Sequence, residues 1–242
     1  MLFAPRRFRV LQNRWIAESV FSLTLEPADD QALPSFRAGQ FIMLHLLNDD
    51  GSTWAKAAYS YATAPSDCQT SIELGIKLSG GFTQRAARLV PGDVVAVQGP
   101  YGVFYLKNTP AAASPLVLLA AGIGITPLRS MIRDIVATGV GREMFLFYSE
   151  KTLASCAYFS EFESLAAAYS GFHFVPCLTR EAPVSWRYER GRVSGSLIEK
   201  YVPSISQAHY CLCGPDEFMF SMKDFLVQRG VDPKIHIQKE SF

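Results

Sequence analysis

The chain has 242 residues, 49% of them hydrophobic and 19% charged, and its 23 Lys and Arg against 22 Asp and Glu leave a net charge of +1. This composition excludes a disordered, collagen-like or disulfide-scaffold protein, and the balanced charge removes the basic footprint of a nucleic-acid binder. The length suits one large domain or two small ones.

In chain order, the first ten residues place Arg6, Arg7 and Arg9 where a signal peptide would carry its apolar core. The longest apolar run, residues 116–125, contains two glycines and falls far short of the roughly 20 residues that span a bilayer. The expectation is a cytoplasmic protein without a membrane span. Residues 8–12, 21–26, 40–47, 58–63, 71–77 and 93–98 then read as short strands rich in Val, Ile, Phe and Tyr, divided by Gly, Pro, Asn and Asp. Such spacing predicts a small antiparallel barrel or sandwich, interrupted by one helix over residues 83–89 that Pro91-Gly92 stops.

Residues 108–114, small and proline-bearing, suit a linker. Beyond them the pattern changes. Residues 116–120 form a continuous apolar run, as in a parallel strand covered on both faces. Thr126 and Pro127 offer an N-cap and a first helical position, and Leu128, Met131, Ile132, Ile135 and Val136 share one helix face before Gly139. Strand-then-helix alternation repeats over 144–148 with 158–169, 172–178 with 196–201, and 210–213 with 217–229, the pattern of a doubly wound parallel sheet. The predicted architecture is therefore two-domain: an antiparallel β-barrel over residues 1–110, then an α/β domain over 111–242. The five cysteines (Cys68, Cys156, Cys177, Cys211, Cys213) are scattered and form no CxxC pair, so no metal or iron–sulfur site is expected.

Three features carry chemistry. Gly122-Ile123-Gly124-Ile125-Thr126-Pro127 joins a buried strand to a helix, where free N–H groups and the helix dipole favour a diphosphate. It departs from GxGxxG in having Pro127 at the third glycine. At the end of the next strand, Glu150 and Lys151 are adjacent: an acid there suits the ribose of NADH, a cation the 2′-phosphate of NADPH, and the position alone leaves both open. Thr179-Arg180, with Arg187, Arg190 and Arg192 following, tilts the reading to NADPH, because guanidinium forks suit phosphate.

In this order the pieces resemble the ferredoxin–NADP reductase superfamily over nearly the whole chain. The carriers are Phe36-Arg37-Ala38-Gly39-Gln40-Phe41, Ala58-Tyr59-Ser60, Gly80-Gly81-Phe82-Thr83, Gly99-Pro100-Tyr101-Gly102, the Gly122 turn, Cys213-Gly214-Pro215 and the terminal Glu240-Ser241-Phe242. The resemblance implies a flavin barrel followed by a pyridine-nucleotide domain. It implies that Tyr59 stacks on the isoalloxazine, that Ser60 contacts flavin N5, and that Gly80, Gly81, Phe82 and Thr83 meet the flavin phosphate. It further implies that Cys213, followed by Gly214 and Pro215, lies beside the nicotinamide with Glu240 as a second polar group, and that Phe242 covers the flavin until nicotinamide displaces it. One departure stands out. The family carries Arg two residues before the motif tyrosine, to grip the flavin pyrophosphate, and this chain has Ala57. Lys56 is out of register for an extended strand, which leaves another cation such as Arg85.

The reading that follows is an NAD(P)H-dependent flavoprotein reductase, using FAD or FMN, that passes hydride from nicotinamide to bound flavin. Single electrons then go to a separate ferredoxin or oxygenase component. A free-flavin reductase, favoured by Ala57, is the alternative; a flavin-binding electron-transfer subunit without its own turnover is the second.

Overall fold

A computed structural model of the chain describes residues 4–68, 70–106, 114–139 and 141–241. The predicted linker and the expected boundary between residues 110 and 111 fall largely or wholly outside them. The chain divides into two compact units, residues 1–106 with 129–138, and residues 107–128 with 139–242.

The first unit is a six-stranded antiparallel sheet in the order β4-β3-β6-β1-β2-β5. Its strands are β1 (Arg6–Ala17), β2 (Val20–Pro27), β3 (Phe41–Leu47), β4 (Thr53–Ser60), β5 (Ile72–Lys77) and β6 (Val94–Tyr101). A bridge between Tyr61 and Leu74, with Ala62 N–H donating to the Glu73 carbonyl at 2.8 Å, ties the chain just past β4 to β5 and joins the two edges of the sheet at that end. The barrel is filled by alternate residues of each strand, among them Phe8, Val10, Phe21, Leu23, Leu25, Ile42, Leu44, Leu74 and Val95. Strands β1 and β4 depart most from their expected bounds of 8–12 and 58–63. β1 continues through polar Asn13 and Arg14 because shifts of register at 10/12 and 15/17 break its alternation. β4 starts at Thr53, five residues before the predicted onset, because an edge strand needs few β-branched residues to pair on one side. Helix α1 (Gly81–Ala86) sits earlier than predicted, opening on the glycine itself.

The second unit is a six-stranded sheet in the order β10-β9-β8-β7-β11-β12, with every pairing parallel. Its strands are β7 (Leu116–Ala121), β8 (Met144–Glu150), β9 (Phe172–Leu178), β10 (Glu189–Arg190), β11 (His209–Cys213) and β12 (Ile237–Glu240). Helices α3 (Phe159–Ala168), α4 (Gly195–Tyr201) and α5 (Asp216–Gln228) connect them. Leu116 to Ala120 are each 0% exposed, as a doubly covered strand requires. The chain returns from the β7-β8-β9 side to β11 on the other flank of β7, which makes the β7/β11 boundary the topological switch point.

Helix α2 (Ile125–Thr138) follows a 3₁₀ turn at Gly122–Gly124. It therefore begins one residue before the expected cap. Thr126 is buried within the first turn, its hydroxyl donating to the Ile123 carbonyl at 2.5 Å, and Pro127 is tolerated because a first-turn N–H has no helical partner. The body of α2, residues 129–138, belongs to the barrel unit. Arg129 donates to the Ala62 carbonyl at 2.8 Å and to Glu73 Oε2 at 2.9 Å, the Ser22 hydroxyl donates to Glu73 Oε1 at 2.6 Å, and the Ser130 hydroxyl reaches the Thr63 carbonyl at 2.6 Å. Burial pushes the Glu73 carboxyl up, but Arg129 and Ser22 outweigh it and hold the group below the ordinary carboxylate value. Among the described residues no helix is long and apolar enough to cross a membrane.

Candidate functional site

In the barrel unit the residues expected at a flavin gather on β4 and α1. Tyr59 pairs with Ile42, Ala57 with Leu44 and Ala55 with Leu46, so these three lie on the core-facing side of the edge strand. Lys56, opposite His45, and exposed Ala58, opposite Met43, lie on the other side, so Lys56 does not stand in for an arginine at 57. The Tyr59 ring stacks on Phe82 of α1 with centroids 5.9 Å apart and planes 26° apart. Burial pushes its phenol up to about 12, so it stays protonated as a hydrogen-bond donor at any working pH. Ser60 closes β4 opposite Phe41.

At the start of α1, the Thr83 hydroxyl accepts from the N–H groups of Ser79 and Gly80 at 2.9 and 3.0 Å and donates to the Gly80 carbonyl at 2.9 Å. Thr83 thus locks the turn rather than pointing outward. A Cβ on Gly80 or Gly81 would meet nothing within 4 Å, leaving open space above the turn. Arg85, one helical turn further, donates to the Leu47 carbonyl at 2.8 Å and lies 4.7 Å over the ring of Trp54. Trp54 also stacks on Phe82, with centroids 6.4 Å apart. Open space beside paired glycines, a stacked tyrosine, and a cation without a carboxylate partner among the described residues together fit a flavin bearing a phosphate. Trp54 carries no sequence signal for this place.

In the α/β unit the expected residues gather at the switch point. A Cβ on Gly124 would lie 2.1 Å from the Cys213 carbonyl oxygen and 2.9 Å from Gly214 N, so only glycine lets the first turn of this unit rest against the end of β11. Gly122 has φ +59° and Gly214 φ +159°, and Pro215 caps α5. Cys213 is 0% exposed and pairs with Ala120 on one side and Glu240 on the other. Burial, then the neighbouring Glu240 carboxyl, pushes its thiol well above the ordinary value, which makes it a neutral wall and not a nucleophile. Glu240 itself is pushed up to about 7 by burial. Phe242 lies outside the described residues.

Further along the carboxyl edge, Thr179 N–H donates to the Glu150 carbonyl at 2.8 Å and Arg180 N–H to the Lys151 carbonyl at 3.0 Å. These bonds extend the β8–β9 ladder beyond its strands and set the backbones of Lys151 and Arg180, both exposed, side by side. Glu150 is 7% exposed, and its carboxylate turns inward to accept from Lys151 N–H and the Ser155 hydroxyl, both at 3.0 Å. The other arginines have partners: Arg187 with Glu163 and Tyr188, Arg190 with the Pro183 carbonyl, and Arg192 with Glu217 at 3.6 Å. A cavity of about 260 Å³, which the sequence did not disclose, is lined by Leu153, Phe159, Glu163, Trp186, Arg187 and Tyr188 among others.

Residues 8–105 match a family model described as an oxidoreductase FAD-binding domain, and residues 118–224 one described as an oxidoreductase NAD-binding domain. The chain is 30% identical to the reductase component of propane 2-monooxygenase from Mycolicibacterium goodii over 98% of its own length and 67% of that protein. It is 29% identical to ferredoxin–NADP reductase B of Sorangium cellulosum over 98% of both chains. The crystal structure of an Amycolatopsis cytochrome P450 reductase matches with a TM-score of 0.83 at 27% identity, over 99% of this chain and 71% of that one. The FAD/NAD-binding domain of a Vibrio cholerae nitric oxide dioxygenase shares the fold, with a TM-score of 0.84 at 24% identity over 98% of both chains.

Proposed function

The chain belongs to the ferredoxin–NADP reductase superfamily of FAD- and NAD(P)H-dependent oxidoreductases, and from this premise we propose that it oxidises NADPH and delivers electrons one at a time to a separate protein, a ferredoxin or an oxygenase component. Bound FAD supplies the chemistry that accepts a hydride from the nicotinamide and releases single electrons.

The chain's own residues bind, orient and exclude. Tyr59 holds the flavin by stacking and by its protonated hydroxyl. Ser60, at the strand end, presents a hydroxyl able to donate or accept as the ring changes protonation at N5. Cys213 stays a neutral thiol and adds no charge beside the nicotinamide, and Gly214 and Pro215 shape that wall. Glu240, with its carboxyl pushed up to about 7, stands ready to hold or release a proton near neutral pH. The N–H groups around Gly122 and Gly124, with Thr126 and Pro127 in the first helical turn, take the coenzyme diphosphate. Lys151, Thr179 and Arg180 take the 2′-phosphate, and Arg192 lies in the same loop system.

The observation that carries the NADPH preference is the pairing of Lys151 with Arg180 while the Glu150 carboxylate, the group an NADH ribose would need, is turned inward. Steady-state kinetics with both coenzymes test it. Arg180→Ala is expected to raise KM for NADPH far more than for NADH; equal effects would remove the preference. Ala57 favours the free-flavin reductase as a second reading. Gel filtration followed by an anaerobic visible spectrum decides between them: a retained flavin that bleaches with NADPH supports the bound-flavin reductase, and a colourless protein the other.

A further inference from the structure

The missing arginine at position 57 leaves the flavin diphosphate without its usual counter-charge, and the bulge in β4 supplies an answer. Leu46 pairs with Ala55 and Leu47 with Thr53, so Trp54 is the extra residue of a β-bulge. In regular alternation Trp54 would share the outward side with Lys56 and Ala58. The bulge re-aims it, and its ring stacks on Phe82 as Tyr59 does, 19° and 26° from the Phe82 plane respectively. Tyr59, Phe82 and Trp54 therefore form one aromatic row on the flavin side of the edge strand. Arg85 lies at its end, its guanidinium carbon 4.7 Å over the Trp54 ring and one N–H on the Leu47 carbonyl at 2.8 Å. Among the described residues a neutral carbonyl and a ring face leave the positive charge uncompensated and most of the five in-plane donors available. The open space above Gly80 and Gly81 lies at the start of the same short helix that carries Arg85.

We propose that Arg85, held over the Trp54 ring, is the residue that binds the flavin diphosphate in this chain, in place of the arginine absent from position 57. The proposal rests on the flavoprotein reading and deepens it. Arg85 touches the cofactor's phosphate, and Trp54 is a positioning residue that acts through Arg85.

The test compares FAD with riboflavin, which shares the ring but has no phosphate, titrated by flavin fluorescence into the deflavinated full chain. Arg85→Ala is expected to weaken FAD roughly 10- to 100-fold, the loss of one charge-assisted contact, and to leave riboflavin unchanged within about twofold. It should also flatten the salt dependence of FAD binding. Trp54→Ala should weaken FAD by a smaller factor, again sparing riboflavin. Adding Ala57→Arg to the Arg85→Ala chain should recover FAD affinity, because position 57 shares the Tyr59 face. Arg85→Lys controls for packing, since it keeps the stem and the charge, and should retain FAD better than Arg85→Ala. Equal losses for FAD and riboflavin, or no loss for FAD, would overturn the proposal while wild-type binding upheld the flavoprotein reading. A wild-type chain that bound neither flavin would overturn both.

Discussion

The candidate sites of the two units are built by different means. In the barrel unit the candidate site is made of side chains on an irregular edge strand: Tyr59, Ser60 and the bulged Trp54, with Phe82 and Arg85 from a short helix. In the α/β unit it is made mostly of backbone, with Gly124 packed against the Cys213 carbonyl at the switch point of a regular parallel sheet. The part-buried carboxyls differ in the same spirit. Glu73 of the barrel has a guanidinium and a hydroxyl as partners and is held low, whereas Glu240 has only burial acting on it and is pushed up to about 7. Side-chain sites tolerate replacement and can be rebuilt from a neighbouring position. Backbone sites cannot, because a carbonyl oxygen in contact has nowhere to move.

The largest effect is expected at the barrel's part-buried ion pair. Arg129→Ala removes the guanidinium from the part-buried Glu73 carboxylate, which should cost about 3–5 kcal/mol in urea denaturation. A loss under about 1 kcal/mol would mean that the pair is dispensable. Because the folded value of Glu73 is depressed, its stabilisation is present above about pH 4.5 in the wild type and is lost as pH falls below that.

Next comes the direct contrast between glycines. Gly124→Ala forces backbone apart and should cost about 1–3 kcal/mol, with a large drop in the rate of flavin reduction by NADPH. Gly80→Ala adds a Cβ to open space and should leave folding stability within about 0.5 kcal/mol while lowering FAD affinity. Similar stability changes for the two would erase the distinction between the units.

Smaller still, Lys151→Ala or Arg180→Ala should raise KM for NADPH by roughly tenfold with little change for NADH, since both cations are exposed and screened. The smallest effect is expected from Glu240→Gln. An acid whose folded value lies above its ordinary 4.5 stabilises the fold fully below pH 4.5, and that contribution is lost as pH rises toward 7. The amide should therefore reduce the difference in urea midpoint between pH 5 and pH 8. An unchanged difference would show that the Glu240 carboxyl is not the group responsible.

Local pattern was enough for much of this protein. The doubly covered strand at residues 116–120, the strand–helix alternation after it, the glycine turn and the order of cofactor motifs were all legible, because periodicity and turn chemistry act over a few residues. What tertiary structure decided is non-local. Whether Glu150 faces a ribose or its own loop depends on Ser155 and the Lys151 N–H, and whether Arg187 is available depends on Glu163 in α3. That the body of α2 belongs with the barrel depends on Glu73, 56 residues from Arg129. The place of Trp54 depends on one unpaired residue in a strand whose alternation otherwise points it away from Tyr59. A sequence states which groups exist and how the chain nearby repeats. Where a charge or ring finally points is settled by partners distant in the chain, through contacts that leave no local period to read.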